Sequence, residues 1–118
     1  MIKVSIDYGY AFDMLSILEI KKENNSNNIN LENYERLYNE IKDQINIKLF
    51  NKIIQSLEYL NLKNINKKVF DLVDIVKNDN GLAKEVDEAN YQRYIAKTNL
   101  QKVYFEINPT EIKIGYSK

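Results

Sequence analysis

The 118-residue chain contains no cysteine, no histidine and no tryptophan, one proline, three glycines and only two arginines, Arg36 and Arg93. Without cysteine there is no disulfide framework, no thiol nucleophile and no thiolate metal site. Without histidine the chain lacks the usual general base near neutral pH and the commonest transition-metal ligand. Any catalysis would fall to Asp, Glu, Lys, Tyr or Ser, or to a metal held by oxygen ligands. The 17 basic residues balance 17 acidic ones. A dedicated nucleic-acid role needs a concentrated positive field and favours the arginine fork, so that role is not expected. The opening "MIKVSIDYGY" lacks a signal-peptide core and no later apolar run reaches membrane-spanning length. The expectation is a cytoplasmic protein without a membrane partner. Abundant Asn, Ile, Lys and Tyr, whose codons are AT-rich, points to an AT-rich bacterial or viral genome.

What is present describes a mainly α protein. With 44% apolar and 29% charged residues, the composition is that of one soluble domain over residues 1–118. Ile2, Val4, Ile6 and Tyr8 alternate with Lys3, Ser5 and Asp7, a strand-like period of two. Gly9 permits a turn into a first helix over residues 10–23. Its apolar arc is Tyr10, Ala11, Met14, Leu15, Ile17 and Leu18, with Phe12 and Ile20 at the margins, so it reads as a central helix.

The asparagine-rich "ENNSNNIN" is a loop by composition. A second helix follows Asn30 as N-cap, with Leu31, Tyr34, Leu37, Tyr38, Ile41 and Ile45 on one stripe. After a break near Asn46, one long helix is expected over residues 47–76, bent or broken at Asn61, which falls on its apolar stripe. Gly81 suits the end of that helix, and a last helix spans residues 82–107 before Asn108-Pro109 stops it. Ile112, Ile114 and Tyr116 then alternate as a second strand. The predicted architecture is an antiparallel bundle of about four helices. Its short N- and C-terminal β-strands pair with each other, because an isolated strand leaves its backbone groups unpaired.

The candidate site residues are Asp13, Glu19, Lys21 and Asp74. Asp13, Glu19 and Glu23, with Ser16, share one side of the first helix and read most simply as its solvated face. Converging in a concave pocket near Lys21, they could instead hold a ligand or perform acid and base work. Asp71 and Asp74, three apart, read as a surface pair. Lys97 and Lys102 could contribute to an anion pocket. Nine tyrosines without tryptophan suit surfaces that are partly buried and partly wet.

Gly9, Asp13, Ile17, Leu18, Glu19, Ile20 and Lys21 match a Gly-Glu-x-x-Asp-Lys-x-x-Ile-Leu-Glu-Ile-Lys pattern. On these residues the chain resembles a family of short bacterial and phage proteins of unknown function. Asp7, Tyr10 and Met14 replace that family's Ser, Glu and Lys. A looser match keeps Asn66 and Asp74, with Val69-Phe70 and Val73 in place of a Leu-Trp pair and a Glu. The resemblance implies no catalytic residue. It implies an association with surface-polysaccharide genes, and the joint change at positions 10 and 14 suits a structural ion pair exchanged for a sulfur–aromatic contact.

The expected function is a non-catalytic protein–protein interaction or assembly module, pairing with itself as a homo-oligomer or with another protein, with no cofactor and no metal. The alternative is a small-molecule-binding or accessory enzyme of a polysaccharide-related pathway using the acids near the first helix.

Overall fold

In the computed structural model, residues 2, 4–76 and 83–106 are described. They form five helices: α1 (Tyr8–Asn24), α2 (Asn28–Gln44), α3 (Ile47–Ile54), α4 (Leu57–Val76) and α5 (Ala83–Phe105). Among the described residues no helix is long and apolar enough to cross a membrane.

The boundaries follow from side chains that satisfy the helix ends. Asn27 caps α2, its side-chain oxygen accepting the Asn30 N–H at 2.8 Å. Asn30, expected as the cap, instead ties the α1–α2 turn by donating to the carbonyls of Lys21 and Asn25. Asn46 caps α3 by accepting the N–H groups of Lys48 and Leu49.

The single helix expected over residues 47–76 is two. At Gln55-Ser56 the Ser56 hydroxyl donates to the Ile53 carbonyl and accepts the Tyr59 N–H, closing α3 and opening α4. This raises the count from about four helices to five. Asn61 causes no break: it is exposed within α4.

The core draws on every helix: Phe12 and Leu15 from α1, Ile41 from α2, Phe50 and Ile53 from α3, Tyr59 and Leu62 from α4, Ala96 and Leu100 from α5. Phe12 sits at its centre, with Phe50, Tyr59 and Phe105 rings 6.0–6.4 Å away. As predicted, α1 is central, and it packs on α2, α4 and α5. Tyr8 meets Phe105 while Asp13 meets Arg93, so α1 and α5 run antiparallel.

Two expectations for α1 are corrected. Being enclosed on three sides, the helix buries Asp13 and Ser16 completely, with Gly9, Phe12, Leu15 and Ile20. Tyr10 and Met14, expected inside, are exposed, and the Lys97 ammonium lies 5.1 Å from the Tyr10 ring.

The predicted terminal ribbon is also corrected. The described residues contain no strand; residues 4–7 are neither helix nor strand, and Tyr8 already opens α1. Alternation by itself supplies no hydrogen-bonding partner, and the described chain brings no segment alongside. The C-terminal strand, Gly81 and the Asn108-Pro109 stop lie outside the described residues.

Candidate functional site

Gly9 sets how closely α1 approaches α5. A Cβ there would lie 2.4 Å from the Lys97 carbonyl oxygen, so the backbones touch where only hydrogen fits. The Gly9 N–H, left without a helical partner in the first turn of α1, donates to the buried Gln101 side-chain oxygen at 2.8 Å.

One turn further on, the Asp13 carboxylate is wholly buried. It accepts from Arg93 Nε and Nη2 at 2.7–3.0 Å and from Asn66 Nδ2 at 2.8 Å. Asn66 Nδ2 also donates to the Ser16 hydroxyl, which in turn donates to the Asp13 carbonyl. Three helices meet in this network. A buried carboxylate is tolerated because two N–H donors of the guanidinium and an amide surround it. The Arg93 side chain keeps 28% of its surface in water, so it bridges core and solvent.

Glu19 anchors a second cluster two turns along α1. It accepts from the hydroxyls of Tyr34 on α2 and Tyr59 on α4, both at 3.3 Å, and pairs with Lys63 at 3.1 Å. Lys63 also holds Glu23 at 2.6 Å, and Lys67 stands 3.8 Å from it. These groups, with Ser56, Leu57 and Leu60, line an open cleft of about 330 Å³.

Burial first, then the Glu19 charge, pushes the Tyr34 and Tyr59 hydroxyls above their ordinary 10.0. Burial alone would lower the Lys63 pKa. Its hydrogen bonds to Glu23 and Glu19 outweigh that effect and raise it above 10.5. The same Lys63 bond is the main reason the Glu23 carboxyl falls below 4.5.

These directions fix a pH profile. Tyr34, Tyr59 and Lys63 hold their protons more tightly when folded. Their contribution is complete below the unfolded values of 10.0 and 10.5 and is lost as pH rises through the higher folded ones. Glu23 behaves oppositely: its contribution is complete above 4.5 and is lost as pH falls through its lowered folded value. Its side chain is 42% exposed, so the acid limb is shallow. Urea midpoints across pH should therefore show a plateau with a steeper alkaline limb, and Tyr59→Phe should flatten that limb. An unchanged alkaline slope in the variant would remove Tyr59 from the account.

The four candidate residues do not converge. Asp13 lies in the core network and Glu19 in the cleft. Lys21 is an exposed residue whose carbonyl receives Asn25 and Asn30. Asp74 falls in the last turn of α4, with its side chain outside the described residues. The solvated-face reading of the acids is thus corrected for Asp13 and Ser16, and Glu19 is only partly exposed. Lys97, considered for an anion pocket, is buried against α1.

Sequence reasoning passed over Arg93, Asn66, Lys63, Tyr59 and Gln101. The available signal was the scarcity of arginine, with Arg93 a turn from Ala89 and Ala96 on the buried stripe of α5. Among the described residues, no three acids gather as a metal site would require. No family model, curated protein or solved structure matches the chain.

Proposed function

We propose that this chain is a non-catalytic helical interaction module that associates with a second copy of itself. The observation that carries the reading is a division of labour between polar and apolar groups. The acids of α1 are committed to internal partners: Asp13 to Arg93 and Asn66, Glu19 to Lys63 and two tyrosines, Glu23 to Lys63. The large side chains left facing water at the start of the chain are apolar or aromatic. Val4 is 74% exposed, and Ile6, Tyr8, Tyr10 and Met14 are exposed with it. A concentration of such residues marks an association surface. The balanced net charge leaves no long-range repulsion between copies.

Sedimentation velocity of the full chain tests this. The weight-average mass should rise from 14.0 kDa toward twice that value as concentration increases through the micromolar range. A mass fixed at the monomer value throughout would overturn the proposal.

The Glu19 cleft supports a second reading, a small-molecule binder or accessory enzyme of a polysaccharide-related pathway, since it offers a carboxylate, an ammonium and two hydroxyls beside exposed Leu57 and Leu60. Neutral mono- and disaccharides that raise the melting temperature of the native chain but not of Glu19→Gln would favour it. No shift in either protein would remove it.

A further inference from the structure

We infer that residues 3–7 form the contact between copies, as an antiparallel β-pair centred on Ser5. This rests on the self-association reading above and specifies which segment does the work. Among the described residues, no backbone hydrogen bond reaches Val4, Ser5 or Ile6. Their donors and acceptors stand open in a non-helical stretch, the condition under which a chain adds a strand from a partner.

The base of the segment is fixed. Tyr8 stacks on Phe105 with ring centroids 3.9 Å apart and planes 3° off parallel, and the Asp7 carbonyl accepts the Ala11 N–H. The segment therefore leaves the helical body from a defined point, with Ile2, Val4 and Ile6 exposed along it.

The sequence selects one register. Antiparallel pairing about Ser5 sets Lys3 across from the partner's Asp7, Val4 across from the partner's Ile6, and Ser5 across from itself. One face then carries two opposite-charge pairs and the other carries only aliphatic side chains. A parallel in-register pair would stack lysine on lysine and aspartate on aspartate. A slip by one residue would set Val4 against serine and mix the faces. A slip by two would restore the faces but lose the charge pairs. So short a ribbon is marginal alone, which makes the association weak and reversible.

The chain's lack of cysteine makes the register testable. Ser5→Cys places one thiol on the two-fold axis, where facing Cα atoms about 4.5–5.5 Å apart suit a disulfide. Mild oxidation should convert this variant to a linked dimer on a non-reducing gel. Lys3→Cys places each thiol about 13 Å from its counterpart and should remain largely unlinked. Lys3→Asp, which sets like charges opposite each other, should weaken association measured by sedimentation. Equal linking of both cysteine variants, or of neither, would overturn the register. Deleting residues 2–6 should abolish the dimer while circular dichroism retains the helical spectrum. A dimer that survives the deletion would overturn this inference but leave self-association standing, whereas a native chain that is monomeric throughout would overturn both.

Discussion

Replacing Arg93 with methionine is expected to destabilise the fold by about 3–5 kcal/mol, because it leaves the Asp13 carboxylate buried with its main partner removed. The side chain of Asp13 has no exposed surface and takes three of its four hydrogen bonds from Arg93. The remaining donor, Asn66, cannot neutralise a charge. Against a total stability of about 5–15 kcal/mol for a domain of this kind, a loss of that size removes a large share of it. The effect should be read as a shift in the urea midpoint with an unchanged slope. The double variant Asp13→Leu/Arg93→Met should recover most of the loss, since the cost lies in the orphaned charge more than in the missing attraction. If the double variant is as unstable as Arg93→Met, the uncompensated charge is not the cause.

Gly9→Ala is the second large effect, and its sign is the test. At an ordinary helical position the change to alanine stabilises by about 1 kcal/mol. Here the new methyl would meet the Lys97 carbonyl oxygen at 2.4 Å, and that atom belongs to a helix backbone that cannot rotate away. Relief requires α1 and α5 to separate, weakening the Gly9–Gln101 hydrogen bond, the Asp13–Arg93 pair and the Tyr8–Phe105 stack together. A loss of about 2–3 kcal/mol is expected, in the range of overpacked cores. A rise in the thermal midpoint of Gly9→Ala would show that the two helices are not held at this distance.

The parts of the fold legible in the sequence were those written in local periodicity. The α2 stripe of Tyr34, Leu37, Tyr38, Ile41 and Ile45 packs on the core, and the break near Asn46 is where α3 is capped. The division between α3 and α4 was harder to see because apolar residues recur at helical spacing across it. The short turn at Gln55-Ser56 resets the helical phase, so Leu57, expected inside, is 78% exposed, while Tyr59, Leu62, Asn66 and Val69 face inward. The buried asparagine that the pattern suggested does exist, but it is Asn66 and not Asn61.

The network around Asp13 was not legible for a different reason. A helix packed on three sides has little wet surface, so Asp13 and Ser16 are inside despite their polarity. Their partners lie 50 to 80 positions away in the sequence. No periodicity encodes such a match, and the complementary groups become visible only once α4 and α5 lie against α1. Asp13, Glu19 and Asn66, three of the residues that carry the resemblance to the bacterial and phage family, all serve as fasteners between helices. Tyr10 and Met14, where the chain departs from that family, are exposed beside the network. The motif therefore reads as a prescription for holding helices together.

The central claim, that the acids of α1 are structural fasteners, is tested most directly by a double-mutant cycle on Asp13 and Arg93. Asp13→Asn, Arg93→Met and the double variant would be compared by urea unfolding. A coupling energy of about 2–3 kcal/mol is expected for a buried pair in direct contact. Single losses that add to within about 0.5 kcal/mol, as for independent sites, would contradict it.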